Sequence, residues 1–262
     1  MRAAGSTETA GRQSGFTLIE LVVVLTVIGI LTASVTPAVV QRVLDARIAA
    51  TAAEEQALHD AIVGDHTQSR FGFVGDMGRL PNSFLELVQR GSLPAYTMNT
   101  TRSIGMGWRG PYVNIGTSQN DYLLDGFGRA YTGASSGQVR SAGADGVANN
   151  ADDIVYPPLA PVVTGTVTVT VKTMNRDRTV VDPDGYRVDL FYANNGSENQ
   201  VSDTNAPFTF TNVPMGIHAI RVVATNGNGN GNGNGNGSSG NVVSQDTIIV
   251  HPGSTAAIEL WF

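Results

Sequence analysis

The feature that most constrains this chain is an uncharged apolar stretch near its amino terminus. Residues Leu21 to Gln41 read LVVVLTVIGILTASVTPAVVQ and contain no Asp, Glu, Lys or Arg. As a helix, this stretch would be about 30 Å long, which matches the hydrocarbon core of a bilayer. Glu20 lies directly before it and Arg42 directly after it. A secretory signal peptide would have a shorter apolar region and a small-residue cleavage site. The sequence therefore predicts a membrane-spanning helix.

Helical spacing of apolar and small residues continues beyond the uncharged stretch as far as Val63. We expect one helix over residues 16–63, apolar on all sides in its first half and amphipathic in its second half. Pro37 removes one backbone hydrogen bond, so we expect a kink or local melting there. The adjacent Glu54 and Glu55 would point in two directions from the helix axis, which favours a solvated face.

Composition excludes several classes of function. The 262 residues carry a formal net charge of −6, which argues against a nucleic-acid-binding surface. The chain has no cysteine, so disulfides, thiolate nucleophiles and cysteine-ligated metals are excluded. The four histidines show no metal-ligand spacing, and no nucleophile elbow or phosphate-binding loop is present. We expect no enzymatic activity and no nucleic-acid partner.

An acidic loop follows in the middle of the chain, where residues 141–156 read SAGADGVANNADDIVY. Asp145, Asp152 and Asp153 supply carboxylates in a segment rich in glycine and asparagine. A flexible loop rich in oxygen atoms suits Ca²⁺, which takes six to eight oxygen ligands. It lacks the alternating pattern of an EF-hand. On composition alone, a solvated acidic turn is the alternative.

The last part of the chain reads as short β-strands separated by turn residues. Pro157, Pro158 and Pro161 predict a stiff hinge before it. Alternating patterns then predict six strands, at residues 166–172, 186–192, 208–213, 217–224, 242–250 and 256–261. Evenly spaced short strands with such turns are typical of a β-sandwich. The repeat (NG)₆ at residues 226–237 is expected to be an exposed hairpin loop.

The amino-terminal residues GFTLIELVVVLTVIGILTASVTP resemble the class III signal of type IV pilins and type II secretion pseudopilins. The resemblance includes Gly15, Phe16, Glu20 and Pro37. It implies that a prepilin peptidase cuts between Gly15 and Phe16 and that the new amino group of Phe16 is methylated. It also implies that Glu20 pairs with the Phe16 amine of a neighbouring subunit. In hydrocarbon, such a pair would lower the cost of both charges and fix the register.

Further phrases extend the resemblance. Three short segments that follow the signal resemble, in their sequence and order, the major (G-type) pseudopilin of type II secretion. They are GDMGRLP, GWRGPYV and DGFGRAY. In that family the acidic loop binds calcium. The resemblance implies side-chain ligands from Asp145, Asp152 and Asp153 and main-chain ligands from Ala142 and Asn150. Later, FTFTNVPMGIHAIRVVA resembles the closing strands of carboxypeptidase-regulatory-like or PEGA-like sandwich domains.

These observations predict an α+β protein. We expect a leader at residues 1–15, a long helix at 16–63, and a pseudopilin globular region with a small antiparallel sheet at 64–160. The helix would pack on that sheet, as in the pilin fold. A separate all-β sandwich would follow at 161–262. The major pseudopilins end near residue 160, so the sandwich departs from the family pattern.

The expected function is that of a structural subunit of a type II secretion pseudopilus or a related type IV filament. The resemblance implies a single pass through a bacterial inner membrane, with the globular parts periplasmic or on an extracellular filament. Its partners would be identical subunits, minor pseudopilins, prepilin peptidase, and the assembly platform and ATPase. One alternative is a pilus or surface-filament subunit whose β domain mediates adhesion. Another is an anchored periplasmic binding protein that never polymerises.

Overall fold

A computed structural model describes most of the chain, in two compact units that comprise Met1–Ala46 and Arg47–Phe262. The residues described are 15–65, 68, 70–113, 123–174, 180–181, 185–225 and 241–261. The fold class is the expected one, with a long helix followed by a β-rich region of small antiparallel sheets and larger sheets. The leader at 1–14, the (NG)₆ tract and most of the turn at 182–185 lie outside the described residues.

Helix α1 spans Leu18–Val63 and contains 46 residues. It continues through Pro37, so the helix does not melt there. The predicted start at residue 16 is two residues early, because Thr17 caps the helix. Within the second unit, α1 buries one stripe of side chains, spaced three or four residues apart up to Ala61 and continuous over its last three residues. That stripe consists of Thr51, Glu55, Leu58, Ala61, Ile62 and Val63.

Short elements follow α1 in the second unit. They are α2 (Gly72–Met77), α3 (Leu85–Val88), β1 (Thr97–Asn99), β2 (Ile104–Met106), β3 (Val139–Ser141) and β4 (Ile154–Tyr156). Strands β1 and β2 form one antiparallel pair, and β3 and β4 form another. Leu58 and Ile62 of α1 pack in one core with Phe73, Leu87 and Val139. This core holds the second half of α1 against the small elements.

The sandwich contains eight described strands. They are β5 (Thr164–Met174), β6 (Val180–Val181), β7 (Tyr186–Asn194), β8 (Ser197–Asp203), β9 (Phe208–Pro214), β10 (Gly216–Ala224), β11 (Asn241–Val250) and β12 (Thr255–Trp261). One sheet has the order β11-β10-β7-β8 and is antiparallel throughout. In the other sheet, β5 lies between an antiparallel β9 and a parallel β12. Strand β6 pairs with the carboxyl end of β5.

All six predicted strands are present in the sandwich, and two strands were missed, the two-residue β6 and the longer β8. The β8 sequence SENQVSD is polar and mostly exposed, because β8 is the outer strand of its sheet. The turn before it was expected: Asn195 and Gly196 both have positive φ, at 51° and 73°. Asn-Gly is favoured in such tight hairpin turns. Valine, leucine, isoleucine and phenylalanine side chains of both sheets fill a separate core between them.

The β1–β2 hairpin forms a third layer on the outer face of the β11-β10-β7-β8 sheet. Ile104 and Met106 of β2 are buried there against Phe191, Ala193 and Ala219. The Arg102 guanidinium lies 3.9 Å from the centroid of the Phe191 ring. Its Nη1 also lies 2.6 Å from Oε1 of Glu198. The proline-rich segment is therefore not the only connection between the small elements and the sandwich.

A second set of contacts joins the end of α2 to the β7–β8 turn. The backbone N–H of Gly196 donates to the carbonyl of Met77 at 2.9 Å. Gly78 has φ of 72°, and a Cβ placed on it would lie 1.8 Å from the carbonyl oxygen of Ala193. Glycine is thus required here both by backbone conformation and by the close approach of the sandwich.

Candidate assembly helix and acidic loop

The start of α1 is capped by three reciprocal hydrogen bonds between Thr17 and Glu20. The backbone N–H of Glu20 donates to Oγ1 of Thr17 at 3.3 Å. In return, the backbone N–H and the hydroxyl of Thr17 donate to Oε2 of Glu20 at 2.9 and 2.8 Å. This is a capping box, which satisfies amide groups that the first turn of a helix leaves unpaired. Gly15 and Phe16 precede it and are exposed.

The first unit exposes a continuous apolar surface on α1. Leu18, Ile19, Leu25, Ile30 and Leu31 are all more than half exposed. Three hydroxyl groups in this segment donate to carbonyls of the same helix: Thr26 to Val23, Ser34 to Leu31 and Thr36 to Thr32. These three hydroxyls are thereby satisfied without water. The helix is long and apolar enough to cross a membrane, by length and composition.

The acidic loop folds on itself through its carboxylates. Oδ2 of Asp152 accepts from the backbone N–H groups of Ala144 at 2.8 Å and of Asp145 at 3.1 Å. The bond from Asp145 is the largest contribution that lowers the pKa of Asp152. Oδ2 of Asp145 accepts from Nδ2 of Asn150 at 2.8 Å, and Oδ2 of Asp153 accepts from the N–H of Asn149 at 2.7 Å. The carboxylates therefore stabilise the turns of the loop, mainly by accepting hydrogen bonds from its backbone N–H groups.

The three carboxylates that the sequence predicts as calcium ligands do not form a metal-binding group in this geometry. Among the described residues, no group of three or more His, Asp or Glu side chains is placed to hold a metal ion. The carbonyl of Ala142 accepts from the N–H of Gly146 at 3.0 Å. One acceptor remains open, because Oδ1 of Asp153 is buried without a hydrogen-bond partner.

The entry to the acidic loop is tied to the rest of the second unit. The side chain of Arg129 donates to the carbonyls of Gly143 and Ala144. Ser141 Oγ donates to Oδ2 of Asp125 and accepts from the N–H of Gly143 at 3.1 Å. The two ends of the turn at residues 125–129 thus hold residues 141–144.

Helix α1 also contributes to this anchoring, which was not predicted from the sequence. Glu54 and Glu55 were interpreted as a solvated face, and that was wrong for Glu55, which has no exposed surface. Its Oε1 accepts from the N–H of Ser141 at 3.0 Å, and Oε2 of Glu54 accepts from the hydroxyl of Tyr131 at 2.7 Å. Burial, opposed by the Ser141 bond and reinforced by the charge of Asp125, raises the pKa of Glu55 to about 8. The spacing of Glu55 between Thr51 and Leu58 was the available signal.

Comparison with known proteins identifies the amino-terminal motif. Residues 11–36 match the family model described as the prokaryotic N-terminal methylation motif. That motif, the long apolar helix and the β-rich region have one common interpretation. They fit a type IV pilin-like protein. The pilin-like assignment is consistent with a single-pass membrane anchor, with processing by prepilin peptidase and with assembly into filaments in general.

Two other comparisons add no functional information. A search of curated proteins found no significant match. The sandwich-containing chain is similar to a solved structure of a putative carbohydrate binding protein from Pseudomonas aeruginosa, at 11% identity and a TM-score of 0.26. That similarity covers 41% of this chain and 94% of the other. At this TM-score, the likeness carries no argument about fold or ligand.

Proposed function

We propose that this pilin-like chain is a structural subunit of a type II secretion pseudopilus or a related type IV filament. The observation that carries the proposal is the combination of the methylation motif with an exposed apolar half of α1. Exposed apolar helix surface of this extent requires lipid or other helices around it. The membrane would hold the subunit before assembly, and the helices of other copies would cover the same surface afterwards.

In this proposal, processing between Gly15 and Phe16 creates a new amino terminus beside the capping box. A charged amine on Phe16 would then lie three covalent bonds from the amide nitrogen of Thr17, whose N–H already donates to Glu20. The proposed pairing of Glu20 with the amine of a neighbouring subunit would compete with, or add to, these local bonds. An unpaired carboxylate is costly within a membrane, so the neighbouring amine is expected to strengthen assembly.

The test is filament assembly by Glu20→Ala in cells that carry the matching secretion or pilus machinery. A filament subunit loses assembly and stays in the membrane, whereas an anchored protein that never polymerises is unaffected. Asp45→Ala is the matched control, because Asp45 is an exposed carboxylate on the same helix that accepts a hydrogen bond from Gln41 one turn away. Normal filaments from Glu20→Ala would contradict the proposal.

We also propose that the acidic loop binds Ca²⁺ as a structural ion. Its supports are the density of oxygen donors and the open acceptor on Asp153. Asp145 and Asp152 would provide further carboxylate oxygens after rearrangement, with Ala142 and Asn150 contributing main-chain oxygens. The ion would offset the mutual repulsion of the carboxylates and stabilise the loop.

Thermal unfolding of the full chain in detergent, with Ca²⁺ and with a chelator, tests this second proposal. Ca²⁺ at 100 times its dissociation constant should add about 2.7 kcal/mol to the free energy of unfolding. The double variant Asp145→Ala, Asp152→Ala should lose that gain. Asp203→Ala serves as the control, because it removes a carboxylate in the sandwich that accepts backbone N–H groups in the same way. An unchanged wild-type midpoint would refute calcium binding.

A further inference from the structure

A buried group of two carboxylates and one serine connects α1 with the segment that enters the acidic loop. Glu55 lies on α1, Asp125 on the turn at residues 125–129, and Ser141 at the end of β3. Ser141 uses its backbone N–H for Glu55 and its hydroxyl for Asp125. All three residues are almost entirely buried, with exposures of 0%, 5% and 1%. We call this group the carboxylate clasp.

The two carboxylates of the clasp are not equivalent. Oδ1 of Asp125 accepts from the backbone N–H groups of Phe127 at 3.0 Å and Arg129 at 2.8 Å, and its Oδ2 accepts from Ser141. Glu55 has one donor, and its Oε2 is buried without any partner. Donors directed at a carboxylate stabilise its charged form, whereas an unpartnered buried oxygen favours the neutral form. The geometry therefore places the negative charge on Asp125.

No cation offsets a charge on Glu55. Among the described residues, the ion pairs do not include Glu55. The guanidinium of Arg129 is directed at the carbonyls of Gly143 and Ala144, and that of Arg140 at Gln138. On α1 itself, Glu54 bonds to Tyr131. The remaining titratable neighbour one turn away is His59, whose Nδ1 lies 3.2 Å from the carbonyl of Gly137.

We propose that the carboxylate clasp is a proton-linked connection, closed when Glu55 is protonated and loosened when Glu55 loses its proton. The pKa of Glu55, raised to about 8 chiefly by burial, is consistent with this assignment. A second buried negative charge beside Asp125 would be relieved by moving residues 141–144 away from α1 or by admitting water. Protonation thus couples α1 to the entry of the acidic loop. This inference does not depend on filament assembly or on calcium.

The sign of the pH dependence follows from linkage. Glu55 binds its proton up to about pH 8 in the closed state but only up to about pH 4.5 in an opened or unfolded state. The closed state therefore carries the extra proton between these values, and its advantage is lost as the pH rises through that window. Each pH unit should raise the opening equilibrium constant roughly tenfold until the pKa of the closed state is reached.

The first test compares wild type with Glu55→Gln by thermal unfolding of the full chain in detergent between pH 6.5 and 8.5. Glutamine keeps the oxygen that accepts from Ser141 and cannot ionise. We expect the midpoint of the wild type to fall across this range and that of Glu55→Gln to stay more nearly constant. Glu54→Gln is the matched control, and it should retain the wild-type slope. Equal slopes for wild type and Glu55→Gln would overturn the proposal.

The second test needs no variant, so it remains decisive if Glu55→Gln does not fold. Amide exchange is followed in a peptide covering residues 139–144, and each rate is divided by the intrinsic exchange rate of the same unstructured peptide at the same pH. This ratio removes the intrinsic pH dependence of exchange and reports the opening equilibrium. We expect the ratio to increase by roughly tenfold between pH 6.5 and 7.5. A constant ratio would show that the clasp does not open with deprotonation.

Discussion

The interactions that stabilise the first unit differ in kind from those that stabilise the second unit. In the described part of Met1–Ala46, residues 15–46, side-chain hydrogen bonds join residues three or four apart, and the apolar side chains are exposed. In Arg47–Phe262, bonds such as Ser141 to Glu55 and Gly196 to Met77 join distant parts of the chain. The first unit therefore obtains its structure from local rules and depends on its surroundings for burial, whereas the second unit provides its own interior.

The largest expected effect comes from equal truncations in the two halves of α1. Leu58→Ala should lower the free energy of unfolding of the second unit by about 2–5 kcal/mol, because Leu58 is 1% exposed within a packed core. Leu25→Ala, at a side chain that is 59% exposed, should leave that unfolding transition unchanged. Urea unfolding in detergent measures both. Similar losses from the two variants would show that the units are not energetically distinct.

A pH titration should reveal a second property of the self-contained interior. His218 is buried, its Nε2 lies 2.6 Å from the carbonyl of Pro214, and burial lowers its pKa to about 4. The unfolded chain binds a proton at His218 below about pH 6.5, and the folded chain does so only below about pH 4. Stability is therefore lost as the pH falls through this window, by roughly 3 kcal/mol in full.

His218→Gln is the comparison for that titration, because glutamine can donate to the same carbonyl and does not titrate. The difference in free energy of unfolding between wild type and this variant should shrink or reverse from pH 7 to pH 4. Equilibrium denaturation at several pH values provides the measurement. A constant difference would mean that His218 does not contribute to the acid sensitivity.

The long-range contact at Gly78 predicts a smaller but specific effect. Gly78→Ala adds a Cβ that cannot fit beside Ala193, in addition to the strain of a positive φ. Gly128→Ala is a matched control, because Gly128 has φ of 81° and nothing lies within 4 Å of its Cβ position. We expect Gly78→Ala to cost about 1–3 kcal/mol more in thermal or denaturant unfolding. Equal costs would mean that the sandwich does not approach α2 in solution.

The smallest expected effect is in the first unit. Thr17→Ala removes the capping box and should destabilise the first turn of α1 by about 1 kcal/mol. Thr26→Ala is the control, because its hydroxyl bonds a carbonyl inside the helix and caps nothing. Amide exchange of residues 18–21 in detergent should accelerate only for Thr17→Ala. A change in the unfolding of the second unit would contradict the local character of this contact.

The same contrast explains what could be predicted from the sequence. Helix α1 and the six alternating strands were predicted because their signals are local periodicities. Strand β8 was missed because its edge position leaves it polar, and the burial of Glu55 was missed because Asp125 and Ser141 are far away in sequence. The pairing of β12 parallel to β5 likewise depends on residues at opposite ends of the sandwich. Calcium binding by Asp145, Asp152 and Asp153 stays a prediction.

The third layer formed by the β1–β2 hairpin has a mechanical consequence. A force applied to the sandwich would act on several connections at the same time. These are the proline-rich segment, the Gly196–Met77 hydrogen bond, and the packing of Ile104 and Met106 against Phe191. Bonds loaded in parallel share tension, whereas a lone tether fails at its weakest point. The sandwich would thus transmit force and torque to the smaller core beside α1 instead of rotating freely about a single linker.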